Sequence, residues 1–215
     1  MSKAYTEDDF ADQLDSDLTW RLRELSDLKV AIKNSQRNAR SVLLRSLVTI
    51  LYAHWEGHIR FCVQKYFEHV TLRKYRYDRL ERQLYVNRFL APLNALYRAR
   101  MNVGERCQLI SEVLDSSQER FSHVSPSLID TRSNLNSNVM KDLCLICAVD
   151  FSYFEEKAVF IDVILLKRRN SIAHGEETLI HNDELDHLIQ EGVALMRTFK
   201  DVLQNKVYTK SYLAA

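Results

Sequence analysis

The residues best suited to chemistry lie in Leu166-Lys-Arg-Arg-Asn-Ser-Ile-Ala-His-Gly-Glu176. Charged groups crowd an apolar helix just as it ends. Asn170 and His174 are four apart and share a helical face. Arg169 and His174 are five apart, about 140° around a helix axis. A simple side-by-side pair is therefore impossible unless the Arg reaches round or the His swings at the helix end. His174 falls in the last turn, where the macrodipole favours positive charge. A guanidinium beside a proton-carrying imidazole suits phosphodiester chemistry. The Arg stabilises charge on phosphate, and the His moves a proton to or from an attacking or leaving oxygen. Spacing alone leaves a plainer reading open, in which both groups only cap the terminal carbonyls of the helix.

Other candidate chemistry is weaker. Glu56 sits in an otherwise apolar helix and needs a partner. Arg60, one turn on, is the local candidate, and Arg169 or His174 is the functional one. Gly57 costs about 1 kcal/mol in a helix interior, which implies a close backbone approach. His54, His58 and Cys62 follow at four-residue steps like zinc ligands on a helix. No second ligand-rich segment accompanies them, so they read as packing, and no metal site is expected. Cys144 and Cys147 have redox spacing but lie in an apolar helix, where core thiols are expected. With four cysteines in 215 residues, no disulfide framework is indicated and a reducing cytoplasm is the simplest setting.

These residues must be held by helices. Only four Gly and two Pro occur, against about 7% and 5% on average, which disfavours turn-rich β folds. No two glycines lie within five residues of each other, so no Gly-rich phosphate loop exists. The pattern predicts an all-α single domain. A helix is expected at 6–34 from the stripe Leu14, Leu18, Leu22, Leu25 and Leu28. A long inner helix follows at 38–72. Shorter ones are expected at 78–91, ending near Pro92, and at 103–114. Residues 115–137 read as a loop, and 138–148 as a short helix. A continuous amphipathic helix is expected at 155–174, buried through Val159, Phe160, Val163, Ile164 and Leu166. Gly175 stops it, and Asn182 caps a last helix to about 203. The bundle core is 38–205, and the sequence leaves open whether 1–37 joins it or wraps a partner. The N-terminus has no signal-peptide pattern, and no apolar run is long enough to span a membrane.

Charge is polarised although the net value is +1. Residues 1–27 hold eight acids against three bases, and 176–191 hold six acids without Lys or Arg. Residues 73–106 hold nine bases against three acids, with tyrosines interleaved. Arg73, Lys74, Arg76, Arg79 and Arg82 are candidate RNA contacts, because Arg grips phosphate and Tyr stacks on unpaired bases. A solvated face paired with the acidic segments is the alternative.

Three segments together resemble one family. Arg169-Asn-Ser-Ile-Ala-His-Gly175 looks like the Arg-polar-x3-His motif of the HEPN superfamily. Leu44-Arg-Ser-Leu-Val-Thr-Ile-Leu-Tyr-Ala-His-Trp-Glu-Gly57 and Thr131-Arg-Ser-Asn-Leu-Asn136 resemble a bacterial HEPN-like nuclease family. The resemblance implies an up-and-down helical bundle with additional helices that forms a homodimer. It implies metal-independent endoribonuclease activity by ribose 2′-hydroxyl attack, in a cleft built from both subunits, with no cofactor. Arg169 and His174 are then catalytic, Asn170 orients them, and Glu56 supports. It further implies a toxin or defence setting and an antitoxin or other regulatory partner. In one toxin subgroup a modified Tyr follows the His by two residues. Glu176 holds that place here, so that control is not expected. The alternative is a non-catalytic HEPN module for dimerisation, protein interaction or nucleotide binding.

Overall fold

A computed structural model describes residues 3–98, 102–131 and 134–214. The side chains of Tyr97 and Arg98, and all of Arg100, Arg132 and Ser133, lie outside it. Among the described residues, eight α-helices run in chain order: α1 (Glu7–Asn34), α2 (Arg37–Leu72), α3 (Arg82–Arg98), α4 (Val103–Asp115), α5 (Ser137–Ile146), α6 (Ser152–Glu155), α7 (Arg168–Ala173) and α8 (Glu184–Tyr208). No strand occurs among the described residues, only isolated bridges at Arg76–Arg120 and Leu80–Leu213. The fold is all-α, as the composition requires.

The centre is a three-helix unit of α1, α2 and α8. Thr6 opens α1 with a capping box: its hydroxyl accepts the Asp9 amide, and the Asp9 carboxylate accepts the Thr6 amide. Phe10, Leu14, Leu18, Leu25 and Ile32 of α1 are buried, each side chain stabilising by about 1.5–3 kcal/mol. Residues 1–37 thus contribute α1 to the core. α2 buries residues on nearly every side between Leu44 and Val70, because α1 covers one flank, α8 another, and the segment leading to α7 a third.

Several boundaries differ from expectation. α3 begins at Arg82, after a 3₁₀ turn at Tyr77–Arg79, and continues through Pro92. Proline removes one donor without obliging a helix to end. Asn182 does not cap α8. Its preceding amide, His181 N–H, instead donates to the Glu184 carboxylate at 3.0 Å.

The expected helix at 155–174 is the largest departure. After α6 the chain winds as a π-helix over Phe160–Lys167 and returns to α geometry in α7. The hydrogen bonds there follow the wider i→i+5 pattern. Phe160, Ile161 and Leu165 face the core, whereas Val159 and Val163 are exposed. Phe160, Ile161 and Leu165 share one face in either winding, so the apolar pattern does not reveal the π turns.

Candidate active site on the flank of the long helix

α7 delivers the candidate pair. His174 is its C-cap and Gly175 follows with φ +81°, the left-handed geometry that favours glycine. The Gly175 amide donates to the Ile172 carbonyl at 3.1 Å and the Glu176 amide to the Ser171 carbonyl at 2.9 Å. These two bonds form a Schellman motif. Arg45 of α2 donates from Nη2 to the Glu176 carbonyl at 3.0 Å, which ties the turn to the long helix. His174 is exposed at this fixed turn. The Asn170 carbonyl accepts the His174 amide at 2.9 Å, and Asn170 itself is half-buried.

Arg169 points the other way around α7, as the five-residue spacing requires. Its guanidinium carbon lies 4.1 Å from the centroid of the Tyr52 ring, within cation–π range. Tyr52 is buried in α2, and its hydroxyl accepts the Leu135 amide at 2.6 Å. Burial and the nearby Glu56 charge push the Tyr52 phenol up to about 12, against the opposing Leu135 amide and Arg169 guanidinium. The ring therefore stays a neutral phenol at ordinary pH and gives Arg169 an uncharged platform.

One turn further along α2, the Glu56 carboxylate accepts the Thr131 hydroxyl at 2.5 Å. This is its partner across the fold, and Arg60 is not in an ion pair with it among the described residues. Ser137 completes the anchoring of the loop. Its amide and hydroxyl donate to the Asp162 carboxylate at 2.7 and 2.6 Å. Asn136 then caps α5 by accepting the Val139 amide at 2.8 Å. The three sequence segments, around 52–56, 131–137 and 169–174, thus meet on one flank of α2.

Tyr52, Thr131, Arg45 and Asp162 were missed as members of this site. The first three lie within or beside the quoted motifs, so the segments were legible although the roles were not. Asp162 carries no signal in the sequence, since its partner is 25 residues away.

Gly57 and the histidines serve the opposite flank. A Cβ at Gly57 would lie 2.9 Å from Arg21 Nη1, so the close approach is to α1. Arg21 donates to Asp17 at 2.8 and 3.0 Å. His58 Nδ1 lies 2.6 Å from Asp17, and Cys62 Sγ lies 3.4 Å from His58 Nε2. The His54–His58–Cys62 stripe therefore packs α2 against α1. Cys144 and Cys147 are buried free thiols, and burial pushes the Cys144 thiol up to about 12.

The basic stretch is not next to Arg169. Tyr52 and Arg73 are 21 residues apart along one helix, about 30 Å. Arg73 stacks on Tyr5, 5.3 Å from its centroid, and lies 3.7 Å from Glu7. Arg76 pairs with Asp78 at 2.6 Å. The Lys74 carbonyl accepts from Arg120 at 2.9 Å, and Lys74 has φ 52°. Lys74, Arg79 and Arg82 are exposed.

A family model described as RiboL-PSP-HEPN matches residues 16–205. The match covers most of the chain, and the protein belongs to this HEPN family. No curated protein and no solved structure matches the chain. No helix among the described residues is long and apolar enough to cross a membrane.

Proposed function

We propose that the protein is a metal-independent endoribonuclease in which Arg169 and His174 act on the scissile phosphate. The observation that carries this reading is the division of labour on α7. Arg169 is fixed against Tyr52, whereas His174 is presented to solvent on a rigid turn. The ribose 2′-oxygen attacks phosphorus and loses its proton to a base. The P–O5′ bond breaks, and the 5′-oxygen takes up a proton, leaving a 2′,3′-cyclic phosphate. The imidazole moves protons in this sequence, and the guanidinium stabilises the charge gathered on the non-bridging oxygens. Asn170, one turn before His174 on the same helical face, is the orienting polar residue, and Glu56 supports the site by anchoring Thr131.

One imidazole cannot deprotonate the attacking oxygen and protonate the leaving one at the same instant. A homodimer that pairs two α7 turns across one cleft supplies the second. The rival reading, a non-catalytic interaction module, expects His174 buried or far from any dimer axis; its exposure is compatible with the catalytic reading, and its place relative to the dimer axis decides between them. A toxin or defence setting with a regulatory protein partner belongs to the same proposal and rests on the family resemblance. The test is cleavage of RNA in EDTA by the wild type and by His174→Ala. Cleavage by the wild type and its loss in the variant are expected. Equal cleavage by both sinks the assignment of His174, and dependence of the wild type on added metal sinks the mechanism.

A further inference from the structure

Residues 119–131 and 134–135 run back along α2 and are fastened to it. The Phe121 amide donates to the Tyr75 carbonyl at 2.8 Å at one end. Thr131 and Leu135 reach Glu56 and Tyr52 at the other. Between these ends the segment borders two clefts. One of about 310 Å³ lies against α2 and is lined by Gln64, Phe67, Thr71, His123 and Ile129. The other, of about 300 Å³, lies toward α3 and is lined by Tyr77, Arg88, Arg120 and His123. His123 borders both clefts and is exposed.

The contacts follow one side of α2 in register. The turn after His174 meets Arg45, Arg169 meets Tyr52, and Thr131 meets Glu56. Arg60 comes next, exposed and in no ion pair among the described residues. Gln64 and Thr71 then open the first cleft. Of the acids beside this path, Glu68 pairs with Lys65 at 2.6 Å, Glu119 pairs with Arg88 at 2.6 Å, and Glu56 accepts the Thr131 hydroxyl. Arg60 and His123 are exposed, and Arg120, which donates one N–H to the Lys74 carbonyl, keeps others for an incoming anion. From Tyr52 to Thr71 the path covers 19 residues of helix, about 28 Å. A strand with splayed bases spans more than the about 3.4 Å per nucleotide of a stacked duplex, so the path holds at most about eight nucleotides.

We propose that single-stranded RNA binds along this side of α2, its phosphates passing Arg60, His123 and Arg120 on the way from the catalytic turn. The unpaired form fits because side chains line clefts of nucleotide size, and splayed bases enter such clefts whereas a duplex keeps its bases stacked. The track rests on the nuclease reading for its catalytic end. It adjoins the stretch 73–82 at Lys74, whose carbonyl accepts from Arg120, but does not use Arg73 and Arg76, which have carboxylate partners.

The test uses the full chain carrying His174→Ala, so that bound RNA survives. Fluorescence anisotropy is measured with single-stranded RNAs of about 4 and about 12 nucleotides and with a duplex of about 12 base pairs, sizes set by the track length. The longer strand is expected to bind about tenfold more tightly than the short one and more tightly than the duplex. Arg60→Gln, His123→Ala and Arg120→Gln together are expected to remove most of that advantage. They are also expected to flatten the salt dependence by about 0.7 per lost phosphate contact. Arg60 and His123 are exposed, so this pair alone, with unchanged circular dichroism, serves if the Arg120 variant misfolds. A length advantage and salt slope untouched by the substitutions overturn the track, as does a duplex that binds equally well. If the wild type still cleaves RNA in that case, the track alone has failed. If no RNA binds and the wild type cleaves none, the nuclease reading has failed with it.

Discussion

Toward α1, the stretch 52–62 of α2 presents His54, His58 and Cys62; toward the loop and α7 it presents Tyr52 and Glu56. The first set is enclosed. Asp17, Arg21, His54 and His58 are all buried, and each has a polar neighbour within the chain. The second set is enclosed at its base, where Tyr52 and Glu56 grip the loop, and open at its tip, where His174 is exposed. Histidine therefore does opposite work on the two flanks. In the closed set it completes a buried hydrogen-bond network, and in the open one it stands exposed at the end of a helix. Residue type alone does not separate these roles; the burial of the neighbours does.

The comparison is broken most directly by His174→Ala. It is expected to lower RNA cleavage by about 10²–10⁴-fold, while its urea unfolding curve stays within about 0.5 kcal/mol of wild type. A large stability loss would show that His174 belongs with the closed set. Asp17→Ala should behave inversely. It strands the buried Arg21 guanidinium, which costs about 3–5 kcal/mol, readable as a lower urea midpoint. Gly57→Ala sharpens the contrast further. An added Cβ meets an arginine already pinned by Asp17, so a net loss of about 1 kcal/mol is expected against the gain in helix propensity. In an Arg21→Ala background the same substitution should become neutral or stabilising, and a double-mutant cycle reads that reversal.

The smallest effect concerns pH. Burial holds the imidazoles of His54 and His69 below their ordinary range. A neutral buried histidine stabilises the fold above its unfolded value of about 6.5, and that stability is lost as pH falls through the lower folded value. Burial would raise the Asp17 carboxyl, but hydrogen bonds from His58 and Arg21 outweigh it and hold it low. Its contribution is present above its unfolded value of about 3.9 and disappears as pH falls further. The urea midpoint should therefore fall progressively below about pH 6.5, and His54→Gln should flatten the first part of that fall. An unchanged profile would remove His54 from the closed network.

Much of this was legible in the chain. The leucine stripe of α1, the long apolar α2 and the glycine that ends α7 all follow from local periodicity and backbone preference. So did the segments that form the site, because each carries its residues within a few helical turns. What was hidden is their pairing. Glu56 meets Thr131 75 residues away, and Asp17 meets His58 41 residues away; no local period encodes such contacts. The same limit applies to the basic stretch. Its composition leaves open RNA contact or pairing with the acidic segments, and Arg73 lies beside Glu7 of the first acidic segment while Arg76 pairs with its neighbour Asp78. The π-helical winding was also invisible, since its residues fit an α pattern equally well.

That winding has a further consequence. Each residue of a regular helix turns the chain by about 100°, and the π stretch lies directly upstream of α7. Losing one residue between Phe160 and Lys167 would let the helix relax to ordinary geometry with little damage to its own hydrogen bonding. Because seven residues at about 100° turn the chain about as far as eight in the wider winding, Arg169 and His174 would keep nearly their present heading, whereas losing a second residue would swing both by about 100°. The number of residues in this segment is thus constrained separately from their identities. Its side chains can drift among apolar types while its length can change by no more than that one residue.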